Sequence, residues 1–141
     1  MKILPKLFLD TNVLLDFLLQ RDGWEDVARL IDLACREEIR CYCSYLGVAD
    51  IAYIVRKTAD AEGVRTVVRE LMSWCEVMSP SSMDISMAVK TPHPDFEDSL
   101  QILSAEQKDC DVIVTNNLKH FVAYTDVPVM RCSTLIDMMR H

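Results

Sequence analysis

The stretch Lys6-Leu7-Phe8-Leu9-Asp10-Thr11-Asn12 decides the fold of this chain, because an apolar run ends there abruptly on three polar residues. The run Lys6–Leu9 predicts a short buried strand, since a strand covered on both faces is apolar throughout. A second such run, Val112-Ile113-Val114-Thr115, is rich in β-branched residues and leads into Asn116 and Asn117. We therefore expect two buried strands, each followed by a polar turn.

The rest of the sequence alternates extended and helical patterns. Further strands are predicted over 39–43, 76–78 and 127–130. Helices are predicted over 12–19, 24–36, 45–60, 64–74, 82–89, 96–108 and 134–139. This alternation favours a parallel sheet with helices on both faces, in which ligands bind beyond the carboxyl ends of the strands. The 141 residues contain neither a repeat nor a linker, so we expect a single α/β domain over residues 1–141.

The chain is acidic, with a net charge of −7 from 15 basic and 22 acidic residues. Nucleic-acid-binding proteins usually have a basic surplus, so this balance argues at first against nucleic acid. Asp outnumbers Glu although Asp is the poorer helix former, which indicates caps, turns or metal ligands. Several of these Asp residues stand inside apolar runs, where solvated charge is not expected.

The six cysteines are scattered without the spacing of a zinc site. We expect them to be small core hydrophobes in a reducing cytosol. Asp10 and Asp16 interrupt the apolar N-terminal stretch, which argues against a signal peptide, and no apolar run is long enough to span a membrane. The sequence thus predicts a cytoplasmic protein without membrane association.

Polar side chains stand where the predicted strands end. Asp10 follows the first strand and is partly redundant as a helix cap, because Thr11 or Asn12 could fill that role. Asp16 lies four residues after Asn12, and the two form the polar stripe of an apolar helix. The run Thr115-Asn116-Asn117 follows the fourth strand, where a loop facing a metal or a phosphate is expected, although Asn also favours turns.

Asp50 is the most informative acid, because its neighbours on the predicted helix are apolar. Leu46, Gly47, Tyr53 and Ile54 lie three or four residues away from it. A lone buried carboxylate is unfavourable, or takes up a proton, unless it is paired or bound to a metal. The position therefore indicates a functional acid or a buried pair.

The run Asp95-Phe96-Glu97-Asp98 begins a helix. Asp95 is a natural N-cap, Asp98 lies on the same helix face, and Glu97 is expected to be solvated. Phe96 is expected to join the core stripe of this helix. Acids that converge from separate elements repel one another unless a divalent cation neutralises them, and oxygen ligands select Mg²⁺ or Mn²⁺.

In this order and spacing the motifs resemble the PIN-domain family over almost the whole chain. The resemblance rests on Leu9-Asp10-Thr11-Asn12, Asp16, Asp50, Asp95-Phe96-Glu97-Asp98-Ser99-Leu100, Ile113-Val114-Thr115-Asn116-Asn117 and Lys119-His120-Phe121. It implies a three-layer α/β/α sandwich around a mostly parallel sheet of four or five strands. It also implies Mg²⁺- or Mn²⁺-dependent cleavage of RNA. Many small bacterial members resemble the toxin of a toxin–antitoxin pair (the VapC type) and form dimers, so an antitoxin partner and a homodimer are implied as well.

The resemblance assigns roles residue by residue. Asp10, Asp50 and Asp98 match the catalytic, metal-binding acids, and Asn117 matches a frequent fourth acid. Supporting positions are Asp16, Asp95, Thr11, Asn12, Thr115 and Asn116. The family commonly has Glu at position 50 and Asp at position 117, and the loss of one anionic ligand is expected to weaken metal binding. Candidate RNA contacts are Arg56, Lys57, Lys90, Lys119 and His120, although scattered solubilising charges explain them equally well.

Two alternatives stay open. The neutral Asn117 and the short Asp50 favour a PIN-like module that has lost efficient catalysis and binds RNA or a protein. An Asp-based phosphotransfer domain would need an acid pair at one strand end, and Asp10 is followed by Thr11 and Asn12 instead. Without the five acids that the resemblance assigns to the site (Asp10, Asp16, Asp50, Asp95 and Asp98), the rest of the chain is nearly neutral. The acidity of the whole chain then largely reflects the site itself and predicts weak RNA affinity without metal.

Overall fold

The fold is built on one parallel sheet, seen in a computed structural model that describes residues 3–140. The strands are β1 (Lys6–Leu9), β2 (Arg40–Ser44), β3 (Cys75–Met78), β4 (Val112–Val114) and β5 (Val129–Met130). Their spatial order is β3-β2-β1-β4-β5, and every neighbouring pair is parallel. The apolar run Lys6–Leu9 is therefore the central strand, which explains why it is apolar on both faces.

Seven α-helices connect and cover the strands. They are α1 (Thr11–Leu18), α2 (Trp24–Cys35), α3 (Tyr45–Val55), α4 (Ala61–Trp74), α5 (Ser82–Lys90), α6 (Phe96–Gln107) and α7 (Cys132–Met139). Two 3₁₀ turns, Leu118–His120 and Val122–Tyr124, follow β4. Within residues 3–140, no helix combines the length and the apolar character needed to cross a membrane.

The core lies on both faces of the sheet, because side chains alternate along each strand. Leu7 and Leu9 of β1 pack on one face with apolar residues of α1, α2, α3, α4 and α7. Phe8 points to the other face, where it packs with Ile102 of α6 and with Phe121. This confirms the predicted three-layer α/β/α architecture, with a sheet that is parallel throughout.

The largest error in the predicted elements concerns the helix over 45–60. The structure ends α3 at Val55, and Ala59 closes the final turn through its N–H to Val55 O (3.0 Å). Asp60 then begins α4, since its side chain accepts the N–H of Gly63 at 2.8 Å. The two predicted helices are thus both present, but the first ends five residues earlier than predicted and the second begins three residues earlier, at the Asp60 N-cap. The last helix also begins earlier than predicted, at Cys132.

The cysteines largely behave as the composition indicates. Cys41, Cys43, Cys75, Cys110 and Cys132 are buried as free thiols, whereas Cys35 at the end of α2 is exposed. Burial raises the pKa of Cys41 and Cys132 to about 12 each, which keeps these thiols protonated and unreactive.

Candidate active site

The centre of the site is a buried pair formed where β1 and β4 end. Asp10 follows β1, and its N–H donates to Val114 O at 3.0 Å, which continues the ladder between the two strands. Thr115 Oγ1 donates to Asp10 Oδ2 at 2.9 Å and accepts the N–H of Asn117 at 3.0 Å. Asp10 is 2% exposed and Thr115 is fully buried. One hydroxyl thus fixes both the Asp10 carboxylate and the loop that carries Asn117.

The Asp10 carboxyl has a raised pKa, chiefly because burial disfavours its charged form. The hydrogen bond from Thr115 opposes that rise, and the charge of Asp98 adds to it. The electrostatic influence of Asp98 shows that acids from β1 and α6 face the same space. A bound cation would relieve both the burial and the repulsion.

The first turn of α6 brings two further acids to the site. Asp95 caps the helix by accepting the N–H of Asp98 at 3.0 Å. Asp98 Oδ1 accepts from Gln101 Nε2 at 3.3 Å, while Oδ2 lies 3.1 Å from His120 Nδ1. Burial and the charge of Asp95 raise the pKa of Asp98, and His120 works in the opposite direction. Asp98 is therefore held on both oxygens.

Gln101 links the two halves of the site and was not anticipated from the sequence. It is 2% exposed, and its Oε1 accepts the N–H of Thr11 at 3.2 Å while its Nε2 donates to Asp98. The start of α1 is thereby joined to α6. The available signal was a Gln at a core-facing position, one helical turn after Asp98.

Asp50 and Glu97 correct two expectations. Asp50 is exposed rather than buried, because the face of α3 that carries it opens onto a cleft. Glu97, expected to be solvated, is half-buried opposite Asp50, and its pKa rises to about 7. Burial is the largest cause, followed by the charge of Asp50 and a hydrogen bond to it. Phe96, expected in the core, is 47% exposed instead.

These side chains line a cleft of about 280 Å³ at the carboxyl edge of the sheet. The lining consists of Asp10, Thr11, Asn12, Leu15, Asp50, Asp95, Glu97, Asp98, Gln101, Asn117 and His120. Five of these residues are acids, and His120 is the only basic side chain that lines the cleft in the described part of the chain. A wider groove of about 730 Å³, which includes Arg40 at the start of β2, gathers no comparable set of acids.

Other predicted site residues lie outside the cleft. Asp16 binds Asn116 Nδ2 at 2.6 Å and Arg21 at 3.1 Å, so it supports the loop after β4 from the side. Arg56 and Lys57 lie over the ring of Tyr53, at 4.2 Å and 5.2 Å from its centroid. Lys90 ends α5 and does not line the cleft, whereas Lys119 lines a neighbouring cavity together with His120, which also lines the cleft.

The donor set fits a hard divalent cation by its chemistry. Carboxylate oxygens from β1, α3 and α6 and the side chain of Asn117 meet in one cleft, and such ligands suit Mg²⁺ or Mn²⁺. Burial, together with the charges of neighbouring acids, raises the pKa of Asp10, Glu97 and Asp98, as expected for carboxyls without a neutralising cation. Over residues 3–140, however, no group of three or more His, Cys, Asp or Glu side chains is already arranged to hold an ion.

Solved structures share this three-layer fold. VapBC-1 from nontypeable Haemophilus influenzae matches with a TM-score of 0.67 and 17% identity, over 91% of this chain and 98% of that chain. DNA-bound VapBC from Salmonella typhimurium gives 0.65 and 20%, over 92% and 99%. PAE2754 from Pyrobaculum aerophilum gives 0.63 and 19%, over 97% of each chain. At these identities the likeness is one of fold. No curated protein matches the chain.

The sequence itself settles the family. The profile of the PIN domain matches residues 6–119, which include β1, β4 and every acid of the cleft. The chain therefore belongs to the PIN-domain family, and the resemblance drawn from its motifs is confirmed.

Proposed function

We propose that this protein is a metal-dependent endoribonuclease and that residues 1–141 form a single domain. The observation that carries the proposal is the cleft itself, where Asp10, Asp50 and Asp98 arrive from three elements and meet Asn117. Their negative charge is not balanced by any Lys or Arg lining the cleft in the described residues. A divalent cation supplies that balance and also attracts the phosphate of a substrate.

The side chains divide the work between binding and positioning. Asp10 and Asp98 would hold the ion, since each is oriented by fixed partners, and Asp50 and Asn117 would complete the oxygen donors. When bound, the ion would supply an activated water for attack on phosphorus and would offset charge on the leaving oxygen. Thr115 and Gln101 touch the acids rather than the substrate, so they are positioning residues.

The test is cleavage of a mixed RNA pool by the purified protein in Mn²⁺, in Mg²⁺ or in chelator, with Asp10→Asn as the matched variant. We expect cleavage only with metal, and its loss in Asp10→Asn. Cleavage that ignores chelator, or that survives in Asp10→Asn, would contradict the proposal. Asp22→Asn removes the same charge from an exposed turn and is expected to cleave normally.

A second candidate function is a binding module with little catalysis. The neutral Asn117 and the exposed, short Asp50 favour it, because both weaken a metal site. Metal-independent RNA binding without cleavage of any pool would support this alternative. Restoring the common family residues, with Asp50→Glu and Asn117→Asp, would then be expected to create Mn²⁺-dependent cleavage.

The remaining expectations concern partners and location. An antitoxin protein as partner, a homodimer and a cytoplasmic location stay predictions from the family resemblance. The structures that share the fold include toxin–antitoxin complexes, which supports a search for a partner encoded beside this chain. Light scattering of the purified protein tests the dimer, and co-purification with a neighbouring gene product tests the partner.

A further inference from the structure

A second cavity of about 300 Å³ lies beside the acidic cleft. It is lined by Asn116, Asn117, Leu118, Lys119, His120 and Arg131. Asn117 and His120 line both spaces, so the cavity and the cleft share a wall. Their charges are opposite, because the cleft is rich in carboxylates whereas the charged side chains of the cavity are basic.

The topology explains why these basic residues meet. Strands β4 and β5 are parallel neighbours, and Thr115 N–H donates to Met130 O at 3.1 Å where they end. The chain leaves β4 into the turn that carries Lys119 and leaves β5 directly at Arg131. The segments that follow two neighbouring strands thus present cations at one edge of the sheet. That Arg131 and Lys119 line one cavity follows from the strand pairing and not from a local sequence motif.

The two cations are available for a ligand. Lys119 and Arg131 are both exposed. The ion pairs between residues 3 and 140 do not include either side chain. Their positive charges therefore face solvent and the cavity without a carboxylate partner there.

The turn between the cavity and the cleft is held firmly. His93 Nε2 donates to His120 O at 2.7 Å, and His93 Nδ1 accepts the N–H of Asp95 at 2.8 Å. The His93 ring also packs on Tyr124 with ring centroids 4.1 Å apart. Because Asp95 begins α6, the basic turn is fixed relative to the acids of the cleft.

We propose that this cavity binds a phosphate of the RNA backbone next to the phosphate at the acidic cleft, with Arg131 and Lys119 as its contacts. The inference rests on the proposed function and adds a substrate subsite to it. A polyanion cannot approach five carboxylates unaided, and adjacent cations supply the attraction that the cleft lacks. Arg131 can bind a phosphate through two parallel hydrogen bonds, and Lys119 acts as a point charge.

The test measures binding of a labelled single-stranded RNA to the full chain in chelator, so that no cleavage is required. We expect Arg131→Gln and Lys119→Gln each to weaken binding by about five- to tenfold at moderate salt. Each should also lower the slope of log K against log salt by about 0.7, the value for one phosphate contact on a single strand. Arg40→Gln, which removes an exposed Arg from the opposite end of the sheet, should change binding less than twofold.

A second arm locates the phosphate. RNAs with one neutral methylphosphonate at successive positions should show one linkage whose neutralisation weakens wild-type binding but not binding by Arg131→Gln. Equal binding by Arg131→Gln and Arg40→Gln, a uniform penalty along the RNA, or no RNA binding by the wild type would overturn the subsite. If Arg131-dependent binding occurs but Mn²⁺ produces no cleavage, the nuclease proposal fails and the subsite stands. If Mn²⁺-dependent cleavage occurs but neither RNA binding nor cleavage changes in Arg131→Gln and Lys119→Gln, the subsite fails and the nuclease proposal stands.

Discussion

Replacement of Glu97 by Gln is expected to stabilise the metal-free protein at high pH and to have little effect at low pH. In the folded state the pKa of Glu97 is raised from 4.5 to about 7, first by burial and then by Asp50. The folded protein therefore holds a proton that the unfolded chain releases between these values. Wild-type stability falls as the pH rises through that window and stays reduced above it.

The size of this effect follows from the pKa. A rise from 4.5 to about 7 corresponds to roughly 3 kcal/mol by linkage. Glu97 is only half-buried, and solvent screening reduces the expected gain to about 1 kcal/mol. For a chain of 141 residues, this raises the Tm by about 3 °C. Gln keeps the volume of the side chain and can still donate to Asp50, so packing is conserved.

The assay is thermal unfolding in chelator at pH 8 and at pH 4.5. Glu97→Gln should exceed the wild type by about 3 °C at pH 8 and match it closely at pH 4.5. Glu38→Gln is the control, because Glu38 is exposed and forms no ion pair with the residues that the structure describes. A gain that is equal at both pH values, or a lower Tm at pH 8, would refute the reasoning.

Three further predictions concern how the site is held. Gly47→Ala should lower the free energy of unfolding by about 2 kcal/mol in denaturant melts, because the new methyl group would meet Thr11 Oγ1 at 2.8 Å; Thr11→Ala should rescue it. Thr115→Val should lower the free energy of unfolding by about 2 kcal/mol, because it removes the buried hydrogen bond to Asp10, whereas Thr115→Ser keeps that bond. Equal Tm values for the Val and Ser variants would contradict this role. Mn²⁺ at ten times its Kd should stabilise the wild type by about 1.4 kcal/mol, which is measured as a higher Tm. Asp98→Asn should abolish this rise in Tm in the same thermal melt.

The sequence is sufficient to predict the sheet, and the reason lies in β1 and β4. Both are short apolar runs, and in a parallel sheet covered on both faces such runs have few alternatives. The polar residues directly after them mark the carboxyl edge, so the place of Asp10 follows from the strand alone. Element ends are harder to predict, as α3 shows: the predicted helix runs to Asp60, whereas in the structure α3 ends at Val55 and Asp60 caps the next helix.

The sequence predicts the composition of the cleft better than its contacts. Asp10, Asp50, Asp98 and Asn117 line one space, as their positions after strands and on facing helices indicate. Asp16 has the same local signature, yet it turns to Arg21 and the loop after β4. The packing of α1 against α2 and α3 decides which of its turns faces the cleft. The spacing of residues within α1 does not show this packing.

The sequence pattern does not predict the roles of residues whose partners are distant in the chain. Glu97 looks like a solvated first-turn acid until α3 brings Asp50 opposite it. Gln101 looks like an ordinary helix former until Thr11 supplies the N–H that it accepts. In both cases the partner lies more than 40 residues away in the chain. Their roles arise from the juxtaposition of elements, and helical periodicity alone cannot show them.

The net charge of −7 is a poor guide to RNA binding for the same reason, because a phosphate interacts mainly with the charges nearest to it. Five of the acids line the cleft, whereas Lys119 and Arg131, which form no ion pair within residues 3–140, line the cavity that shares His120 with it. A cation in the cleft would turn a repulsive space into one that attracts phosphate, while the neighbouring cavity would attract the next phosphate without metal. RNA binding should therefore have two separable parts. Chelator removes the part that depends on Asp10 and Asp98, and salt removes the part that depends on Arg131 and Lys119.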